Sequence, residues 1–234
     1  ASDVYKRQML SVLYSCSNNK ENSGKDDEIY KIGINQIVQH SALDSAREGF
    51  IDGLKEKGYV DGENIEIDYE NAQGDVSIAQ TISKQFVNNE VDMIFAISTS
   101  SAQSAYNATK EIPIVFTAVT DPVAAGIANS FESSGNNVTG MSDMVSMTEQ
   151  IALLQEIVPS IRNIGVIYNT SEANSIVQVD ELKAAAKESN LEVKEISITT
   201  VNEINQNLSA NIKDIDALYV PTDNTVASAY ELVG

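Results

Sequence analysis

Several things are scarce in this chain, and each scarcity excludes something. It has one cysteine, which rules out a disulfide framework and a cysteine-rich zinc site. It has one histidine, so no multi-histidine metal site can form, and a Ser-His-Asp triad would depend on that single residue. Tryptophan is absent, which leaves aromatic contacts to 9 Tyr and 5 Phe. Cations are few: 15 Lys+Arg stand against 34 Asp+Glu, for a formal charge of −19. A surface that acidic neither neutralises nucleic-acid phosphates nor adsorbs to anionic lipid. No apolar run reaches the length that crosses a bilayer. No Gly-rich phosphate loop, GxSxG elbow, HExxH or paired-Cys motif occurs, so neither a metal nor a cofactor is expected.

What is present is a globular chain of 234 residues, 42% hydrophobic, long enough for one large domain or two small ones. Residues 1–28 do not read as fold. Lys6 and Arg7 precede a short apolar stretch that meets Ser15-Cys16, the order of a secretory signal. The polar run 17–28 that follows reads as a flexible tether. Leu13-Tyr14-Ser15-Cys16 resembles a bacterial lipobox, which makes Cys16 the expected lipidation site.

From Tyr30 onward strand and helix patterns alternate. Strands are expected over 30–34, 64–69, 91–97, 112–116, 138–141, 164–168, 191–198 and 217–220. Helices are expected over 43–57, 76–88, 100–109, 123–129, 148–158, 173–189 and 201–212, with another beginning at Thr225. Such alternation implies right-handed βαβ units and parallel sheets covered on both faces. The chain also repeats itself. Asp92–Tyr106 aligns without gaps on Asp216–Tyr230, strand on strand and Ser-Ala-Tyr on Ser-Ala-Tyr, and Lys31-Ile-Gly33-Ile aligns on Asn163-Ile-Gly165-Val. The expectation is therefore an α/β protein of two Rossmann-like lobes, 29–144 and 145–234. The second half lacks counterparts for the last units of the first. Roughly two more βα units of about 30 residues each would complete it, so the second lobe reads as incomplete and the chain as C-terminally truncated.

Ligands of open parallel sheets bind beyond the carboxyl ends of the strands. Five such ends are polar here. Ser98, Thr99, Ser100 and Ser101 stand where a helix begins, and the unpaired N–H groups of a helix start attract an anion. Helix capping is the alternative use of such residues, but one cap needs one hydroxyl. Thr117 and Ala118 lie in the turn 117–122; Thr117 suits a ligand hydroxyl contact or a structural one, whereas Asp121-Pro122 reads as a helix start. Gln36 and His40 follow the first strand, His40 as a ligand contact or an ordinary loop residue. Asn169, Glu172 and Asn174 follow strand 164–168. Asp223 occupies the repeat position of Thr99. A carboxylate facing a hydroxyl cluster across a cleft suits a zwitterion, with Asp223 on the ammonium and Ser98, Thr99 and Thr117 on the carboxylate. The competing reading of Asp223 is an Asx-type cap.

Taken together, Gly33–Phe50, Ala108–Val123, Asn137-Val-Thr-Gly140, Tyr168-Asn169, Glu172-Ala-Asn174-Ser175 and Pro221-Thr-Asp223-Asn224 resemble the ABC-transporter substrate-binding proteins of the tryptophan/tyrosine-type group, over nearly all of residues 29–234. The resemblance implies a type I periplasmic-binding-protein architecture. It also implies a lipoprotein anchored by lipid alone to the outer face of a Gram-positive cytoplasmic membrane. The ligand would be an aromatic or hydrophobic amino acid held between the lobes, and the partner an ABC permease; a monomer without catalytic activity is expected. A ligand-sensing module of a membrane receptor on the same fold is the competing reading, and a small α/β enzyme a more distant one.

Overall fold

The computed structural model describes residues 29–234. The expected tether and Cys16 lie outside the described residues. Strands β1 (Tyr30–Gln36), β2 (Ile65–Asn71), β3 (Met93–Ile97), β4 (Ile114–Val119) and β5 (Val138–Ser142) form one parallel sheet in the order β2-β1-β3-β4-β5. Helices α1 (Ser41–Glu56), α2 (Val76–Asn88) and α3 (Thr99–Ala108) cross between the first four strands. Residues 143–146 then lead into α4 (Met147–Ile157). A second parallel sheet follows, in the order β7-β6-β8, made of β6 (Asn163–Asn169), β7 (Glu192–Ile198) and β8 (Ala217–Tyr219). Its helices are α5 (Ala173–Glu188), α6 (Ile204–Asn211) and the short α7 (Asn224–Ser228).

Each sheet carries helices on both faces, which is why inner strands such as β3 and β6 are near-continuous apolar runs, whereas the edge strands β2 and β7 alternate. In the first lobe Ile34, Ile94, Ile97 and Ile114 are fully buried with Phe86 of α2, and the rings of Phe50 and Phe95 stack at 3.8 Å. In the second, Ile164, Val166 and Leu182 lie on one side of the sheet and Ile167, Ile196, Ile204 and Val226 on the other. Among the described residues no helix is long and apolar enough to cross a membrane.

The repeat seen in the sequence is a repeat in space. Order β2-β1-β3 corresponds to β7-β6-β8, and Gly33 pairs with Ile94 as Gly165 pairs with Leu218. Asp92 accepts the Lys31 N–H at 2.7 Å, and its counterpart Asp216 accepts the Arg162 and Asn163 N–H groups at 2.9 and 2.8 Å. Those backbone bonds hold the Asp216 carboxyl below its ordinary range. Both matched glycines leave room for a neighbour: a Cβ on Gly33 would meet the Phe86 ring at 2.6 Å, and one on Gly165 the Ile215 methyl at 2.5 Å.

One expected element is absent. Residues 123–129 form hydrogen-bonded turns, not a helix. Asp121 does cap the backbone there, accepting from Val123 and Ala124, but the chain turns out of helical geometry at Gly126, whose φ is +71°. The expected helix 201–212 is a 3₁₀ turn, Val201–Glu203, leading into α6, and the one from Thr225 stops after α7 in a second 3₁₀ turn, Tyr230–Leu232.

Candidate ligand-binding site

The carboxyl ends of both sheets border one cavity of about 260 Å³. The first lobe contributes Ile37, Val38, Gln73, Gly74, Val76 and Ser100, and the second Asn169, Ser171, Glu172, Thr199, Thr200, Val201, Asn224, Thr225 and Ser228. Glu172 is the one charged residue of that lining, and no aromatic ring borders it.

The β3–α3 turn separates its four hydroxyls by use. Ser98 has a left-handed φ of +92°, donates its N–H to the Thr117 carbonyl at 3.0 Å and makes no capping bond with its side chain. Ser101 donates to Asn35 Oδ1 at 3.2 Å and is structural. Ser100 borders the cavity. Ser98 Oγ and Thr99 Oγ1 are buried and bond nothing. Buried hydroxyls normally find partners, because each unsatisfied one costs about 1–3 kcal/mol. Both stand at the start of a helix of 10 residues. The capping alternative does not hold for this turn.

The β6–α5 turn is organised around Glu172. Its Oε1 accepts from Thr225 N and Oγ1 at 2.9 and 2.8 Å, and its Oε2 from Asn224 N and Nδ2 at 2.9 and 2.8 Å. This carboxylate thus fastens the start of α5 to the start of α7 while bordering the cavity. Asn169 continues the set, donating from Nδ2 to Thr225 Oγ1 at 2.8 Å. Asn174 donates to the Thr222 carbonyl at 2.7 Å and leaves its buried Oδ1 unbonded.

Asp223 is placed differently from the zwitterion expectation. It is fully buried and does not border the cavity. Its Oδ2 accepts from Asn169 N at 2.6 Å and Ser175 Oγ at 2.7 Å, and its Oδ1 accepts from Val226 N at 2.8 Å. The Asx-type cap is the reading the geometry supports: Asp223 caps α7 and ties it to β6 and α5. Burial, and then the nearby negative charge of Glu172, push its carboxyl up to about 6 against the lowering effect of its three donors. Glu172, not Asp223, presents negative charge to the cavity.

Other expected site residues also lie behind the lining. Gln36 is fully buried, donating to the Val38 carbonyl and Asp44 Oδ1 at 2.9 Å each and accepting from Arg47 at 3.1 Å, so it shapes the loop that carries Ile37 and Val38. Thr117 and Ala118 are half-buried at the end of β4; Ala118 has a φ of +53°, beside the register shift between β4 and β5. His40 leaves the first lobe and reaches Asn224 Oδ1 of the second at 3.5 Å. Ser100, Asn169 and Glu172 are brought together on the cavity; Gln36, His40, Ser98, Thr99, Thr117, Ala118, Asn174 and Asp223 are not part of its lining. Two strand ends escaped the sequence reading, that of β2 with Gln73, Gly74 and Val76 and that of β7 with Thr199, Thr200 and Val201. The rule that ligands sit beyond strand ends would have found both.

The family model for the ABC transporter substrate binding protein matches residues 31–234. A tyrosine-binding protein of Clostridioides difficile (strain R20291) is 50% identical over 231 residues, a match covering 96% of this chain and 67% of that protein. The ABC domain from Streptococcus pneumonia solved in complex with L-Trp is 39% identical, with 88% of this chain and 69% of that chain covered and a TM-score of 0.84. The ligand-free, open structure of CD0873 from Clostridium difficile, a substrate binding protein with adhesive properties, is 53% identical, with 88% and 70% covered and a TM-score of 0.63. The less similar sequence superimposes better, with a TM-score of 0.84 against 0.63.

Proposed function

The chain belongs to the family of ABC transporter substrate-binding proteins, with the type I periplasmic-binding-protein architecture, and on that premise we propose that it captures an aromatic amino acid, L-tyrosine or L-tryptophan, between its lobes for an ABC importer. The observation that carries this is the cavity shared by the two sets of strand ends, with one carboxylate on the second lobe and orphaned hydroxyls at the adjoining turn of the first. The ligand's carboxylate takes a hydrogen bond from Ser100, which borders the cavity, while Ser98 and Thr99 shape the turn behind it. The α3 dipole adds about 0.3–1 kcal/mol there, rising to ~2 where the site is partly buried. Its ammonium faces Glu172. Its side chain lies along Ile37, Val38, Val76 and Val201, aliphatic walls that take a ring by contact area instead of stacking.

A ligand bridging the two lobes, 29–144 and 145–234, favours their closed arrangement by its differential contacts, and the closed form is what a permease reads. We assign Cys16 as the lipidation site that tethers a monomer to the outer face of the cytoplasmic membrane. No step in this function calls for catalysis. Calorimetric titration of the purified protein with L-tyrosine, L-tryptophan and L-leucine tests the assignment. Saturable binding of one of the aromatic amino acids is expected. Binding of leucine alone, or of none of the three, refutes the aromatic assignment.

A further inference from the structure

Behind the cavity a second set of contacts joins the lobes. Thr120, just past β4 in the first lobe, has its Oγ1 3.0 Å from Thr222 Oγ1 of the second. Gln178, on α5, donates from Nε2 to Thr120 Oγ1 at 3.1 Å and also to Thr222 Oγ1, while its Oε1 accepts from Thr222 N at 3.1 Å. Thr120 and Gln178 are only 1% and 2% exposed, so the bond between them is shielded from competing water, whereas Thr222 is exposed. The Thr120 carbonyl accepts from Ser142 Oγ at 2.5 Å, and Ser142 ends β5 where the chain leaves for the second lobe. Thr120 is thus fixed to the crossing strand by its backbone and to the opposite lobe by its side chain. None of the three residues borders the cavity.

We propose that Thr120, Gln178 and Thr222 form an interlobe latch that holds the closed geometry and so sets ligand affinity without touching the ligand. The two bonds to Thr120 form only when the lobes are in register, whereas Gln178 and Thr222 hold each other within the second lobe. In an open form Thr120 takes water as partner, so its bonds are a differential contact, the kind that shifts a two-state equilibrium. Apparent affinity scales with the fraction of molecules already in the binding-competent state, and removing the latch lowers that fraction. The inference rests on the cavity being the ligand site.

The experiment uses Gln178→Met, which keeps length and volume without the amide, and Thr120→Val, which keeps shape without the hydroxyl. Thr120→Ser serves as the conservative control. Small-angle scattering gives the radius of gyration of ligand-free and ligand-saturated protein, and stopped-flow fluorescence gives the rates for L-tyrosine and L-tryptophan. In both disruptive variants the ligand-free radius of gyration rises while the saturated value stays that of wild type. Kd rises about 3- to 10-fold, through faster dissociation, as expected for the loss of one or two neutral hydrogen bonds. Thr120→Ser behaves as wild type. The latch is overturned if the ligand-free radius of gyration is unchanged in both variants, including the case where only the urea midpoint falls, or if Thr120→Ser matches Thr120→Val. If wild type binds neither amino acid, the aromatic-ligand assignment fails, and the ligand-free scattering comparison still decides the latch.

Discussion

Replacing Glu172 by glutamine separates the two duties this carboxylate performs. As an ammonium partner it supplies charge: two unit charges about 4 Å apart attract by about 4 kcal/mol at an effective dielectric constant of 20, and part of that is lost to desolvation. A net loss of about 2–3 kcal/mol, or roughly 30- to 150-fold in Kd, follows for a zwitterionic ligand. As a scaffold it supplies five acceptances, two at Oε1 from Thr225 and three at Oε2 from Asn224 and Asn174. An amide turns one oxygen into a donor facing donors, which costs about 1–3 kcal/mol of stability, lowering Tm by roughly 2–4 °C per kcal/mol in a chain of this size. The assay that distinguishes the duties is a ligand–mutant cycle. Wild type and Glu172→Gln are each titrated with L-tyrosine and with 3-(4-hydroxyphenyl)propanoate, which lacks the ammonium. Wild type is expected to prefer tyrosine strongly, and the variant to lose most of that preference. A variant that is less stable yet keeps the full wild-type preference would refute the charge assignment and leave Glu172 as a fastener of α7 alone.

Thr99→Val removes a buried hydroxyl that bonds nothing. Ligand-free stability is expected to hold or rise by up to about 1 kcal/mol, read by thermal denaturation. Asp223, raised from 3.8 to about 6, contributes stability that is fully present below pH 3.8 and is lost as pH rises through 6. The stability difference between wild type and Asp223→Asn is therefore expected to shrink by about 2 kcal/mol between pH 4 and 7 in urea titrations. Gly140→Ala is expected to cost more than about 3 kcal/mol by urea denaturation, because its Cβ would lie 2.2 Å from the Phe116 carbonyl oxygen; Gly165→Ala is expected to cost nearer 1, because the methyl of Ile215 at 2.5 Å can turn aside.

The alternation of strand and helix was legible because it depends on neighbours in the chain. Apolar runs such as 94–97 and 164–168 bury on both faces wherever the sheet lies, and Asp75 caps α2 through Ser77 and Ile78, two and three residues on. The turn at 123–129 misled for the same reason: Val123 and Ile127 have helical spacing, but Gly126 takes a left-handed φ that spacing does not report. The site was partly legible. Polar strand ends pointed to Ser98–Ser101, Asn169 and Glu172, but nothing local marked the ends of β2 and β7.

The sequence by itself determined the two α/β halves and their correspondence, since Asp92 and Asp216 fall at matched positions of the repeat and each accepts from the backbone at the start of the first strand of its own half. Only the tertiary structure decided which acidic residue borders the cavity. Asp223 and Glu172 are both polar strand-end residues, yet the donors that occupy Asp223 come from Asn169 and Ser175, 54 and 48 residues away, and those that hold Glu172 at the cavity come from 52 and 53 residues away. A side chain's chemistry is local; whether it borders the cavity or lies behind it depends on which distant segments the fold brings beside it.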